Sequence, residues 1–323
     1  MSSRADAPPI EARALVKRYG EITAVDHVDL TVEPGDVYGY LGPNGAGKTT
    51  SLRMLLGLIR PTAGEARLFG RDPLIEGVRA LEGVAGFVEA PRFYTYLPGR
   101  ANLELLARLD GGDALARIDE ALDIVDLTSR GRDKVGGYSH GMRQRLGIAG
   151  ALIRNPRLLL LDEPATGLDP AGMRDMRALI QRLAAEGITV LLSSHQLAEV
   201  EELCNRVAIV RSGRIIYEGT IANLKASGGE RYRLSTTDDA HAIEIARVHP
   251  GVERCDAADG AISLVAPAAV VPELSIALAV AGIGVRELVA DAATLEELFF
   301  RLTEGAAEEL PRETAPVLET VAP

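Results

Sequence analysis

Asp36-Val37-Tyr38-Gly39-Tyr40-Leu41-Gly42-Pro43-Asn44-Gly45-Ala46-Gly47-Lys48-Thr49-Thr50 decides the fold: an apolar strand over 37–41 enters a glycine-rich loop, and Ser51-Leu52-Arg53-Met54-Leu55-Leu56 continues as a helix. Gly42, Gly45 and Gly47 permit backbone conformations closed to other residues, so successive N–H groups can turn onto phosphate oxygens at a helix N-terminus. Lys48 adds an ammonium for the β and γ phosphates, and Thr49 a hydroxyl for Mg²⁺. Pro43, Asn44, Ala46 and Thr50 complete the stretch that would line a phosphate cradle.

Working outward, the segments on either side alternate in the way a parallel sheet requires. Strands are expected at 10–17 and 22–32, with the turn Tyr19-Gly20-Glu21 between them, where an exposed Tyr19 is placed to stack on an adenine ring. Short strands follow at 64–70 and at 84–89, the second ending in the carboxylate of Glu89. From 99 to 152 the apolar residues recur at helical spacing, for example Leu115, Ile118, Leu122 and Val125, which predicts a helical insert set within about 91–155. Strands return at 158–161 and 188–192 with a helix over 171–184 between them, and a last pair falls at 206–210 and 215–217. Strand, helix, strand in this order implies α/β architecture with right-handed crossovers.

Phosphoryl chemistry also needs a metal clamp and a group that acts on water. The apolar run Leu158-Leu159-Leu160-Leu161 ends in Asp162-Glu163, two adjacent carboxylates that point differently because strand side chains alternate. Asp162 is the candidate to hold Mg²⁺, and Glu163 to orient or deprotonate the attacking water.

The totals set limits. The chain has 323 residues, 47% of them hydrophobic and 25% charged, enough for two domains and a substantial core. A net charge of −11 argues against general binding to nucleic acid or an acidic membrane, which needs a basic face to displace counterions. Two distant cysteines, Cys204 and Cys255, make neither a disulfide framework nor a metal set and fit a reducing compartment. The weakly apolar stretch 265–285 is interrupted by Pro267, Pro272 and Glu273 and is not expected to span a membrane. Beyond the glycine pair Gly228-Gly229 the pattern reads β-α-β-β-α-β with one further helix, a split βαβ arrangement in a small α+β accessory domain. The expected organisation is a loose lead at 1–9, a nucleotide domain at 10–224, the accessory domain at 230–304 and a disordered acidic tail at 305–323.

Five ordered motifs then carry a resemblance: Gly42 to Thr50, Tyr138-Ser139-His140-Gly141-Met142-Arg143-Gln144-Arg145, Asp162-Glu163-Pro164, Gly167-Leu168-Asp169-Pro170 and Ser194-His195. Together they resemble the ATP-binding cassette (ABC) ATPases over about 10–224. That resemblance implies a P-loop NTPase: a RecA-like parallel sheet core with an antiparallel β subdomain and a helical insert, hydrolysing ATP with Mg²⁺. It implies that Tyr19 stacks on adenine, that Ser139 and Gly141 contact the γ phosphate held by a second ATPase subunit, and that Asp169 lies in the loop crossing between the two. It implies that His195 touches the γ phosphate, and that the active unit is a head-to-tail pair, here expected as a homodimer. The chain departs from the pattern in two places, the signature and the end of the 84–89 strand. Tyr138, His140 and Met142 replace the first, third and fifth residues of the usual Leu-Ser-Gly-Gly-Gln signature, and Glu89 stands where the family has glutamine.

The stretch Glu89-Ala90-Pro91-Arg92-Phe93-Tyr94, the accessory domain and its ending Leu295-Glu296-Glu297-Leu298-Phe299-Phe300-Arg301-Leu302-Thr303 are similar to the ATPase subunits of exporters for antibiotics, bacteriocins and related peptides. This narrower resemblance implies separate ABC-2-type membrane permease subunits, a cytoplasmic location at the inner membrane face reached through them, and Glu89 as a coupler between nucleotide and permease. The alternative from another class is a soluble ABC ATPase acting as a mechanical switch. Those usually join two cassettes or carry a long coiled coil, and this sequence has one cassette and no sustained heptads.

Overall fold

The computed structural model describes residues 7–227, 230–258, 260–290 and 294–304, and divides the chain into two compact units, the first reaching Gly219 and the second beginning at Thr220. Part of the expected lead, the Gly228-Gly229 boundary and the acidic tail lie outside the described residues.

The first unit opens with β1 (Ile10–Tyr19) and β2 (Ile22–Val32), then β3 (Val37–Leu41), α1 (Lys48–Leu55), β4 (Ala63–Leu68), α2 (Pro73–Glu76) and β5 (Val84–Phe87). It continues with α3 (Gly99–Asp110), α4 (Ile118–Ile124), α5 (His140–Leu152), β6 (Leu158–Asp162), α6 (Pro170–Ala185), β7 (Thr189–Ser194), α7 (Leu197–Leu203), β8 (Arg206–Arg211) and β9 (Arg214–Thr220). β1 pairs antiparallel with both β2 and β4 in a three-stranded sheet. A six-stranded sheet of order β5-β6-β7-β3-β8-β9 forms the centre, and β5, β6, β7, β3 and β8 pair in parallel. This is the α/β P-loop architecture that the motifs imply, with the helical insert present as α3 to α5.

Burial explains the apolar runs. All five residues of β3, all five of β6 and all six of β7 are buried, the signature of central parallel strands covered on both faces. Each of these strands ends at the same edge as its parallel neighbour: Leu41 pairs with Ser194, and Asp162 with Ser193. The phosphate loop, the paired carboxylates and His195 therefore leave the sheet side by side, at the carboxyl ends of its strands, where open α/β sheets place ligands.

Some boundaries differ from the sequence reading. β5 stops at Phe87 rather than at Glu89, because Glu89 has φ +68° and turns the chain away. β7 extends through Ser193 and Ser194, two polar residues at the end of an apolar strand that are buried because they have hydrogen-bond partners. Two α-helices of this unit have no counterpart among the sequence expectations: α2, capped by Asp72 accepting from Leu74 N–H, and α7.

The second unit holds α8 (Ile221–Ala226), β10 (Arg231–Thr236), α9 (Asp239–Val248), β11 (Arg254–Ala258), β12 (Ala261–Val265), α10 (Val270–Val280), β13 (Val285–Ala290) and α11 (Leu295–Glu304). Its sheet runs β11-β12-β10-β13 with every pairing antiparallel, so β10 and β11 flank β12 as the split βαβ pattern requires. Leu234, Ile262 and Leu264 from the sheet and Ala242, Ala246, Leu274 and Leu278 from α9 and α10 make its core. Among the described residues no helix is long and apolar enough to cross a membrane.

Candidate functional site

The loop between β3 and α1 has the glycines it needs for two distinct reasons. At Gly42 a Cβ would lie 2.4 Å from the Val210 carbonyl oxygen, so that glycine is required by close approach. Gly45 and Gly47 have φ +80° and +101°, and a Cβ on Gly47 would also fall 2.3 Å from the Ala24 carbonyl oxygen. Gly47 is the N-cap of α1, which has no side-chain cap and no acidic residue in its first turn. The partial positive charge of that helix end is thus left for an anion.

Lys48 is 5% exposed, and its Nζ donates to the Gly42 carbonyl at 2.7 Å and the Pro43 carbonyl at 3.2 Å and pairs with Glu163 Oε1 at 3.3 Å. Thr49 Oγ1 donates to Asp162 Oδ2 at 2.9 Å. The other oxygen of Asp162 accepts the Ser193 hydroxyl at 2.5 Å, and the Glu89 N–H lies 3.3 Å from Oδ2. Thr49 and Asp162 are hard oxygen donors beside a phosphate cradle, a set that fits Mg²⁺, which binds through one or two protein oxygens and completes its shell with phosphate and water. Among the described residues no group of three or more His, Cys, Asp or Glu gathers into a fuller cage.

Glu163 lies at the junction of these groups. Its backbone has φ +49°, fixed by N–H donation to the Ser193 hydroxyl at 3.0 Å and the Ser193 carbonyl at 3.2 Å. Its carboxylate accepts the Thr166 hydroxyl at 2.8 Å, lies 3.0 Å from His195 Nδ1 and faces Lys48. Partial burial would raise the pKa of this carboxyl. The Thr166 hydroxyl, the Lys48 ammonium and His195 outweigh burial and hold it below its ordinary value, so Glu163 is ionised and able to accept a proton from water.

The sequence candidates thus fall into three places. Lys48, Thr49, Asp162, Glu163 and His195 converge at the sheet edge. Glu89 joins them by its backbone, and its side chain pairs with Arg53 on α1. Ser139, Gly141 and Asp169 sit apart, lining an open cleft of about 420 Å³ with His140, Gly167 and Leu168. There Ser139 caps α5 by accepting from Met142 N–H, and Asp169 caps α6 by accepting from Gly172 N–H. Tyr19 stands on the antiparallel sheet at the end of β1, the residue 48% exposed and its ring centroid 5.0 Å from the Lys17 ammonium.

Sequence reasoning missed Ser193, Thr166 and Arg53. Ser193 was detectable in principle, because a serine at the buried end of an apolar strand needs a partner. Thr166 and Arg53 reach their carboxylates across 3 and 36 residues of chain without any motif to mark the contact.

A family model described as ABC transporter matches residues 25–166. The chain is 39% identical over 298 residues to the bacitracin transport ATP-binding protein BcrA of Bacillus licheniformis, covering 92% of this chain and 97% of that protein. It is 46% identical over 221 residues to the daunorubicin resistance ATP-binding protein DrrA3 of Streptomyces coeruleorubidus, covering 67% of this chain and 69% of that one. Among solved structures it is similar to an ATP-binding subunit of an ABC transporter, with TM-score 0.61 and 27% identity over 68% of this chain and 92% of that chain.

Proposed function

Since the chain belongs to the ATP-binding subunits of ABC transporters, in the antibiotic exporter group, and hydrolyses ATP, we propose that it powers export of an antibiotic, peptide or lipid-like compound through separate membrane subunits. The naming of BcrA for bacitracin transport and of DrrA3 for daunorubicin resistance supports that cargo class. The membrane subunits are assigned to the ABC-2-type permeases, and the protein to the cytoplasmic face of the membrane, held there by them. The nucleotide domain is taken as residues 10–224 and the accessory domain as 230–304.

The observation that carries the mechanism is the setting of Glu163, an ionised carboxylate fixed by Thr166, Lys48 and His195 beside the phosphate loop. ATP seats its β and γ phosphates on the 42–50 loop, where Lys48 exchanges loop carbonyls for phosphate oxygens, and Tyr19 stacks on the adenine. Thr49 and Asp162 would hold Mg²⁺, which neutralises phosphate charge when bound. Glu163 orients water for attack on the γ phosphorus and takes its proton as the bond to the β-phosphate oxygen breaks, and His195 senses the γ phosphate. Two copies pair head to tail, Ser139 and Gly141 of each meeting the ATP of the other across the loop of Asp169. Glu89, whose backbone reports on Asp162, passes the change to the permease.

Two variants test this. Lys48→Ala removes a charge that meets the phosphates before and during reaction, so ATP affinity falls. Glu163→Gln removes only the help given to water, so binding persists while kcat drops by about 10²-fold or more. Nucleotide binding and phosphate release measured on both decide it, and substantial turnover by the glutamine variant overturns the assignment of Glu163.

A further inference from the structure

His140, at a signature position usually held by glycine in the resemblance above, is engaged rather than idle. Its Nε2 lies 3.0 Å from the Thr166 carbonyl oxygen, and because a carbonyl only accepts, Nε2 carries the hydrogen. The imidazole rests against the next residue as well: a Cβ on Gly167, which has φ +76°, would stand 3.4 Å from Nε2. Thr166 is tied on its other side to Glu163, donating its hydroxyl to Oε2 at 2.8 Å and its N–H to the Glu163 carbonyl at 3.2 Å. Two steps of hydrogen bonding therefore run from the start of α5 to the carboxylate beside the phosphate loop.

The near end of this path is stiff. Ser139 caps α5, and the neighbouring Tyr138 is 4% exposed, its hydroxyl donating to the Arg130 carbonyl at 2.7 Å and its own carbonyl accepting from Arg143 at 2.5 Å. A displacement at Ser139 and Gly141 must carry His140 with it, since all three sit on one anchored turn.

We propose that His140 is a positioning residue that links the signature turn, facing the ATP of the opposite subunit, to the Glu163 of its own subunit. The proposal rests on the paired-cassette reading. His140 and Thr166 are both exposed in the single chain, where water competes for the hydrogen bond and leaves it a small net effect. Covering that face with a second cassette removes the water, so the bond strengthens in the closed pair, where hydrolysis occurs. A glycine at this position has no side chain to make the link.

The test compares His140→Ala, His140→Leu and His140→Gln in steady-state ATP hydrolysis, and separately introduces His140→Ala into the Glu163→Gln protein to follow ATP-driven dimerisation by light scattering. Losing one desolvated hydrogen bond lowers kcat by about five-fold in the alanine and leucine variants, with KM for ATP within about two-fold. Glutamine places an N–H near the position of Nε2, so it recovers most of kcat. Glu163→Gln with and without His140→Ala should dimerise alike. Unchanged kcat in the alanine and leucine variants, or glutamine as impaired as alanine, overturns the link. Loss of dimerisation only when His140→Ala is added overturns it too, by making His140 an interface contact. If Glu163→Gln alone stays monomeric with ATP, the paired-cassette reading fails and this proposal fails with it.

Discussion

Glu163 pays for its position with a left-handed backbone at φ +49°, held in place by the hydroxyl and carbonyl of Ser193, and such local strain is retained where surrounding contacts fix it. Those contacts also set its charge. Its carboxyl is held below the ordinary 4.5 against the effect of burial, first by the Thr166 hydroxyl and then by Lys48 and His195. A depressed carboxylate stabilises the fold at pH above the unfolded value, and that contribution is lost as pH falls through the lower folded value. We expect a carboxyl chemical-shift titration of Glu163 to give a midpoint below 4.5 and Thr166→Val to move it upward; a midpoint at or above 4.5 in the unaltered protein contradicts the arrangement. At this scale the sequence was partly legible. Lys48, Thr49, Asp162 and Glu163 announce themselves because phosphate and metal chemistry demand those side chains at fixed offsets. Ser193 and Thr166 do not, since a hydroxyl that orients a carboxylate can come from any strand end or turn that the fold brings near.

At the scale of elements, β3 and β6 were readable as buried strands from their apolar runs, and α6 as the helix between two strands. β5 was legible only as far as Phe87, since nothing in the apolar pattern marks the left-handed turn at Glu89 that ends it. Gly86 is a second feature the pattern hides. It has φ +145°, and a Cβ there would lie 1.8 Å from the Leu160 carbonyl oxygen, so this strand passes its neighbour closer than any side chain permits. Such proximity leaves no mark on hydrophobic periodicity either. The contact also makes β5 sensitive. Gly86→Ala must both strain the backbone and push β5 off β6, and we expect a loss of about 3–5 kcal/mol in chemical denaturation. Because Glu89 N–H reaches Asp162 from the end of this strand, the same variant should weaken hydrolysis in whatever fraction remains folded. A loss under about 1 kcal/mol would mean the two strands separate at little cost, and that β5 does not fix the place of Glu89.

For the whole molecule, the decisive question is whether the site is complete in one chain. Lys48, Asp162, Glu163 and His195 meet at the sheet edge, whereas Ser139, Gly141 and Asp169 line a separate cleft on α5 and α6, joined to that edge by the hydrogen bonds through Thr166. Residue order alone carries no distance between these sets; only the family resemblance implied that they serve different nucleotides. Ser139 allows a test that separates interface from stability. It is the N-cap of α5, so Ser139→Arg both loses a cap, costing about 1 kcal/mol, and adds a bulky cation to the cleft. Ser139→Asp keeps a capping oxygen and instead sets a negative charge where the facing γ phosphate should arrive. In the Glu163→Gln background ATP should dimerise the parent, while both double variants stay monomeric, the aspartate variant with unchanged thermal stability. Light scattering with and without ATP, paired with thermal unfolding, reads both quantities. If the aspartate variant dimerises as fully as the parent, Ser139 does not face a nucleotide across an interface, and the second set of residues serves the architecture of a single chain.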